Sequence, residues 1–231
     1  MQIQWLGHSA FKIVGSEASV LIDPFLSGNP RFSGSLDEAC DGVTHVLVTH
    51  AHNDHLGDAV TIMQKTGATL VAMVEITDFV QTHHGMNSVV GMNIGGTLQQ
   101  AGVAVSMVQA FHSSSYNQAD GGRVYGGMPA GLIVEMDGHR IYHMGDTGIF
   151  SDMGLINELY RPDIGIVPIG GHYTMDARAA ALAVNRYFDF ETVIPCHYLT
   201  FPGLAQSADP FVAAVKKGRV LTPQPMETLS F

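Results

Sequence analysis

The chain has 231 residues, with 21 acidic and 11 basic side chains and a formal net charge of −10 when histidine is neutral. Hydrophobic residues make up 46% and charged residues only 14%, against roughly 25% charged in an ordinary soluble domain, which excludes a disordered chain. The acidic balance excludes a nucleic-acid binder, which carries a basic footprint, and no apolar stretch reaches the roughly 20 residues of a membrane-spanning helix.

The first strand-length runs are Gln2–Leu6, Phe11–Val14 and Ser19–Ile22, each bounded by Gly or Ser. Leu6-Gly7 to Phe11 reads as a tight antiparallel connection. Asp23-Pro24 closes the third strand, and a Gly/Ser/Pro-rich loop runs to about Leu36. His45–Thr49 reads as a buried strand. Asp58 is placed to cap a helix over Ala59–Lys65, followed by a strand at Thr69–Met73 and a short helix at Thr77–His84. In the second half, Val103–Ala110 alternates as a strand, and His112–Gly131 is a long glycine-rich loop. Leu132–Met136 and Arg140–His143 pair as a hairpin, because Asp137-Gly138 carries the type I′ turn signature. Helices follow at Asp152–Tyr160, Asp176–Phe188 and Ala208–Lys217, interleaved with strands at Ile164–Pro168, Thr192–Pro195 and Arg219–Leu221. Strands and helices alternate in each half without a linker. Residues 1–231 therefore read as one α/β domain in which two mixed sheets pack face to face with helices outside. The N-terminus lacks the basic and apolar regions of a signal peptide. Cys40 and Cys196 stand too far apart for a disulfide framework, so the expected location is cytoplasmic.

Chemistry concentrates in Thr49-His50-Ala51-His52-Asn53-Asp54-His55-Leu56-Gly57-Asp58. Four ligand-type residues, His50, His52, Asp54 and His55, fall within six positions between a buried strand and a helix. Residues two apart on an extended segment point the same way, so His50 and His52 can share one cation. Asp54 and His55, at the turn into the helix, can face a second. Imidazole nitrogens with a carboxylate oxygen suit zinc, manganese or iron.

This segment resembles the H-x-H-x-D-H motif of the metallo-β-lactamase superfamily. Further motifs match in order: Asp23 after the third strand, His112 in Ala110-Phe111-His112, Asp146 in Gly145-Asp146-Thr147, and His197 in Pro195-Cys196-His197. The resemblance implies an αββα four-layer sandwich with two metals at one edge of the sheets. By position, His50, His52 and His112 would hold the first metal. Asp54, His55 and His197 would hold the second, and Asp146 would bridge them. Zinc is the first expectation for both ions, with manganese or iron as alternatives. Two divalent cations about 3.5–4 Å apart lower the pKa of a shared water toward neutrality, so the expected nucleophile is a metal-bound hydroxide. Asp146 and Asp54 would then be catalytic as well as ligands.

Trp5-Leu6-Gly7-His8-Ser9, Pro168-Ile169-Gly170-Gly171-His172 and Pro195-Cys196-His197-Tyr198 are similar to a bacterial and archaeal branch of metal-dependent hydrolases related to L-ascorbate-6-phosphate lactonase. That relation implies a hydrolase of small esters, lactones or phosphorylated compounds. A mononuclear iron oxygenase of the sulfur-dioxygenase type and a non-catalytic metal-binding protein are the alternatives. His8 reads either as an active-site residue or as a structural histidine. Asp23 reads as a buttress of a ligand histidine, and His143 as a ligand-orienting or simply hydrogen-bonded core residue. His172, after two glycines, is expected to point into the site and donate a proton to the leaving group or polarise a carbonyl. Arg123 is the cation of the glycine-rich loop and the expected clamp for a small, anionic substrate. Neither nucleic acid nor membrane is an expected partner; assembly with further copies of the chain is left open.

Overall fold

A computed structural model describes residues 1–118 and 121–231; Ala119 and Asp120, in the glycine-rich loop, lie outside the described residues. The chain opens with a three-stranded meander, β1 (Gln2–Trp5), β2 (Phe11–Val14) and β3 (Ser19–Ile22), and a short helix α1 (Leu36–Cys40). Strand β4 (His45–Leu47) leads into α2 (Asn53–Leu56) and α3 (Ala59–Thr66); β5 (Thr69–Met73), α4 (Val74–His84) and β6 (Val89–Met92) complete the first half. Strands β7 (Thr97–Gln100) and β8 (Val103–Gln109) precede a small hairpin, β9 (Ser115–Asn117) and β10 (Arg123–Tyr125). Next come β11 (Ala130–Met136), β12 (His139–His143), α5 (Met153–Tyr160), β13 (Ile164–Pro168), α6 (Ala177–Tyr187), β14 (Thr192–Cys196), α7 (Asp209–Ala214), β15 (Arg219–Val220) and β16 (Thr228–Ser230).

Two seven-stranded sheets result, ordered β16-β1-β2-β3-β4-β5-β6 and β15-β14-β13-β12-β11-β8-β7. Each is antiparallel on one side and parallel on the other: the change falls at β3–β4 in the first sheet and β12–β13 in the second. The strands read as continuous apolar runs because both faces are covered, as parallel sheets require. Every residue of β3, β4 and β13 is buried, and one hydrophobic cluster runs through both sheets. The inner faces touch through Trp5 stacked on Tyr198, with centroids 5.2 Å apart, and through Phe11 against His143. Among the described residues no helix is long and apolar enough to cross a membrane.

The Asp137-Gly138 turn forms with φ of 48° and 83°, as a type I′ turn demands, and sets the register Met136↔His139. Asp58 departs from expectation. It stands at the N-cap of α3 without a side-chain cap bond. Its carboxylate instead accepts from Leu26 N at 2.9 Å, Ser27 N at 2.8 Å and Ser27 Oγ at 2.7 Å, tying the 23–36 loop to the metal-ligand turn. The 112–131 segment is less irregular than its glycines suggest, since β9 and β10 pair antiparallel with Arg123 opposite Asn117. Ser114 pins this hairpin by accepting from Ala51 N at 3.2 Å and donating to Gly126 O at 3.0 Å.

Candidate metal centre

The chemistry-bearing residues leave the C-terminal ends of two adjacent strands of the first sheet, β3 and β4, and of three strands of the second, β8, β12 and β14. Asp23 follows β3, His50 to His55 follow β4, His112 follows β8, Asp146 follows β12 and His197 follows β14. Strand ends of this kind converge on one edge of a sheet, where ligand sites of open α/β sheets form. Two groups assemble there: His50, His52 and His112, and beside them His8, Asp54, His55 and His197. Asp146 joins them. Its Oδ2 lies 3.0 Å from His197 Nε2, 3.3 Å from His55 Nε2, 3.6 Å from His112 Nε2 and 4.0 Å from His50 Nε2.

The donors fit divalent cations on an observation independent of any motif. His55 Nε2, both ring nitrogens of His197 and Asp146 Oδ1 are buried without a hydrogen-bond partner. Orphaned buried polar atoms are costly, and His55 Nε2 and His197 Nε2 both lie within 3.3 Å of Asp146 Oδ2. A cation there would satisfy the lone pairs that no protein donor reaches.

Hydrogen bonds around the cluster fix which nitrogen faces inward. Asp23 is fully buried. Its Oδ1 accepts from Thr49 N at 2.8 Å, and its Oδ2 accepts from Thr49 Oγ1 and from His55 Nδ1, both at 2.7 Å. Because Thr49 spends its proton on Asp23, its oxygen accepts from His50 Nδ1 at 3.0 Å. Both imidazoles therefore carry Nδ1–H outward and present Nε2 to the cluster, the arrangement that orients metal-binding histidines. His52 turns the other way, with Nδ1 2.9 Å from His50 Nε2 and Nε2 toward Ser113 Oγ at 3.4 Å.

Electrostatics set His55 apart from the other histidines, and burial pushes the pKa of its neighbour His8 down to about 4. Burial holds the pKa of His50 well below its usual value, and burial also lowers those of His52 and His112, so these imidazoles are neutral and ready to ligate. Burial opposes the charge on His55 too, but the Asp146 and Asp23 carboxylates outweigh it and hold its pKa well above normal. Asp146 is correspondingly held ionised: burial disfavours its charge, and His197 and His55 reverse the balance.

The remaining expectations divide. Asp23 holds the His55 ring through Nδ1 at 2.7 Å. His143 is fully buried, donating from Nε2 to Ser9 O at 3.0 Å and accepting from Gly145 N at 3.1 Å on Nδ1. It joins the turn of His8 to the turn of Asp146 and touches neither inward-facing donor set. Arg123 is exposed, lines the cavity over the cluster, and donates from Nε to Asn117 Oδ1 at 3.1 Å. His172 is a correction. The turn closed by Gly171 N to Met175 O leaves His172 exposed, edge-on to the Tyr173 ring. Tyr173 lines the cavity in its place. Cys196, next to His197, is a fully buried core residue.

Sequence reasoning placed Gly170–Tyr173 in the wall but missed Phe25 and Phe201. Phe25, Phe201 and Tyr173 join His52, His112 and Arg123 around an open cavity of about 700 Å³. It also missed the two threonines that direct histidines, Thr49 and Thr200. Thr49 adjoins the motif and could have been weighed; Thr200 is 192 positions from the His8 it contacts, and no local pattern announces it.

An αββα fold carrying a histidine–aspartate cluster at its strand ends is the architecture of metal-dependent hydrolases. This chain belongs to the metallo-β-lactamase superfamily: residues 2–197 match the family model described as the beta-lactamase superfamily domain. A UPF0173 metal-dependent hydrolase of Chelativorans sp. (strain BNC1) is 49% identical over 233 residues, covering 97% of each chain. Another, from Methylocella silvestris, is 51% identical over 216 residues, covering 93% of this chain and 92% of its own. A solved metallo hydrolase from the hyperthermophilic archaeon Ignicoccus hospitalis is similar at a TM-score of 0.86 and 36% identity, covering 100% of this chain and 97% of that one.

Proposed function

We propose that this metal-dependent hydrolase works with two divalent cations and cleaves a small ester, lactone or phosphorylated compound. His50, His52 and His112 would hold one cation, and Asp54, His55 and His197 the other, with Asp146 between them. The observation that carries this reading is the position of Asp146 Oδ2, within 3.0–4.0 Å of four imidazole nitrogens drawn from both groups. Such a pair, when bound, supplies Lewis acidity toward the electrophilic oxygen and lowers the pKa of a shared water.

The chain's own groups complete the reaction. Asp146 Oδ1 has no hydrogen-bond partner and is free to accept a hydrogen bond from the attacking water, orienting its lone pair. Asp54 is partly exposed, with one third of its side chain open, so it faces both the cluster and the cavity. Phe25, Phe201 and Tyr173 cover apolar parts of a substrate and thin the water above the cluster. Among the described residues Arg123 is the one Lys or Arg in the lining, and it would pair with a phosphate or carboxylate held away from the reacting centre. A net charge of −10 repels anions at long range, so selectivity for an anion must arise locally.

The test is a screen of purified protein, loaded in turn with zinc and manganese, against a lactone, a thioester, a phosphodiester and a phosphomonoester. The expected result is two ions per chain and turnover on at least one of these classes. A single iron per chain with oxygen consumption would favour the oxygenase reading instead. Two ions with no turnover on any class would favour a protein that only binds metal.

A further inference from the structure

Asp54 is a candidate ligand with a single anchor. One third of its side chain is open, and it sits on α2, a helix of four residues. Among the described residues the one hydrogen bond to its carboxylate comes from the His8 ring, with Nε2 3.1 Å from Oδ2. The Asp23 carboxylate, by contrast, accepts three.

His8 itself is tightly held. It is completely buried, with φ of +55°, a conformation that non-glycine residues adopt at a cost and usually only where the surroundings enforce it. Its carbonyl accepts from Trp5 Nε1 at 2.9 Å and from His197 N at 3.0 Å. Phe25 and Phe201, two walls of the cavity, meet its ring edge-on with centroids 5.7 and 5.5 Å away.

The acceptor-only partner decides where its proton sits. Burial pushes the His8 pKa down to about 4, so near neutral pH the ring is uncharged and carries one N–H. An ionised carboxylate can only accept, whereas a hydroxyl can donate or accept. Nε2 therefore holds the proton and donates to Asp54. Nδ1 is left as a lone pair, and Thr200 Oγ1 donates to it at 2.9 Å. Tyr198 O lies farther from the same hydroxyl, at 3.2 Å. Thr49 works with the opposite polarity: it donates to Asp23 and accepts from His50 Nδ1. Two histidines of one cluster thus hold opposite tautomers. His50 offers the cluster a lone pair, and His8 offers Asp54 a proton.

We propose that His8 is a positioning residue: as the Nε2–H tautomer, with Thr200 satisfying Nδ1, it holds the Asp54 carboxylate in the orientation that serves the second cation. This role presupposes the reading of Asp54 as a ligand of that cation. Without the bond, no other protein donor holds the carboxylate, and the cation must order it on binding. Loss of such an orienting partner costs roughly 10–100-fold in metal affinity.

Two measurements on the full-length protein separate this role from packing. In metal-free protein labelled with nitrogen-15 on histidine, His8 should be protonated at Nε2 and His50 at Nδ1, and Thr200→Val should shift the Nδ1 resonance of His8. This reading is taken on the folded parent and holds whether or not a variant at position 8 folds. Cobalt(II) titration then compares two substitutions, the second position being the one that Asp54→Ala abolishes. His8→Asn tolerates positive φ but is too short to reach Asp54, whereas the amide nitrogen in His8→Gln can take the place of Nε2. His8→Asn should weaken the second cobalt by roughly 10–100-fold and leave the first unchanged, and His8→Gln should recover most of that loss. A parent protein with His8 protonated at Nδ1, parental affinity for both ions in His8→Asn, or equal losses in the two variants would overturn the role of His8. A parent protein that takes up only one cobalt would instead overturn the two-cation reading beneath it.

Discussion

Asp23→Asn isolates the hydrogen-bond relay from the packing around it. The amide has the shape of the carboxylate and tolerates the φ of +45° at this position. Its oxygen can keep the bond from Thr49 N. Its nitrogen, however, must donate where Asp23 Oδ2 accepted, toward Thr49 Oγ1 and His55 Nδ1. Thr49 then has its proton free for His50 Nδ1. Every bond in the relay can be remade, but with its direction reversed, and the protons of His50 and His55 move to Nε2, pointing into the cluster. A donor nitrogen closed by a proton must give it up before it can ligate. Loss of such an orienting partner costs roughly 10–100-fold in metal affinity, or about 1.4–2.7 kcal/mol for each cation affected. The metal-free variant should stay within about 1.5 kcal/mol of the parent, since its bonds are exchanged rather than lost. Asp23→Ala differs, because it strands three buried donors at about 1–3 kcal/mol each. Urea unfolding of both variants, with and without saturating zinc, reads both quantities: the stabilisation by metal should shrink in Asp23→Asn. Nitrogen-15 imidazole spectra read the proton positions directly. Parental metal affinity, or His50 and His55 still protonated at Nδ1, would refute the relay.

Three further outcomes follow from the site. Asp146→Ala removes the carboxylate shared by both groups, so activity on a verified substrate should fall by at least roughly 100-fold and metal retention on dialysis should drop; near-parental turnover would contradict the central role given to Asp146. Arg123→Ala should raise KM several-fold for an anionic substrate and leave a neutral ester of similar size unaffected, and equal effects on the two would remove Arg123 from substrate binding. Asp146 and Asp23 hold His55 protonated in the metal-free protein, and a cation must displace that proton. Metal affinity should therefore fall as pH drops below the raised His55 pKa, and loading in weak buffer should acidify the solution; uptake independent of pH and without proton release would count against this assignment.

Local patterns read well in this chain, and long-range ones do not. The ligand run at His50 to His55, the Asp137-Gly138 turn and most strands of the parallel regions are visible because each is written in a few adjacent residues. Strand β16 is three residues, two of them exposed, and it exists only because β1 offers an open edge, with Gln2 pairing to Ser230. Strands β6 and β7 are short and half-exposed, so no periodicity marks them. Asp58 has the sequence of a helix cap, yet the 23–36 loop competes for its carboxylate with three donors. His172 and Tyr173 are adjacent, and the sequence cannot say which of two neighbours a tight turn will face inward. Candidate ligands stand out because chemistry restricts them to a few residue types; the wall residues Phe25 and Phe201 do not, because Phe is equally at home in a core.

Strain shows why the cluster can exist before a cation arrives. Among the described residues, seven non-glycine positions have positive φ, and four of them, His8, Asp23, His197 and Leu199, belong to the turns that build the site. Each such residue costs on the order of 1–3 kcal/mol, so something outside the ligands must hold them. Trp5 is the principal brace. It is 1% exposed, donates from Nε1 to His8 O, and stacks on Tyr198 with its plane tilted only 9°. It therefore grips the turn before one ligand group and the turn after His197 together. Were the cation the main organiser, Trp5→Phe would cost metal-loaded and metal-free protein the same packing energy and leave the turns unchanged. If the fold preorganises the site, the variant should lose about 1–3 kcal/mol of metal-free stability. The His197 amide, bonded to His8 O, should then exchange with deuterium at least roughly 10-fold faster than in the parent when metal is absent, since 1.4 kcal/mol of local stability is a factor of 10. An unchanged exchange rate at His197 in metal-free Trp5→Phe would show that the brace lies elsewhere.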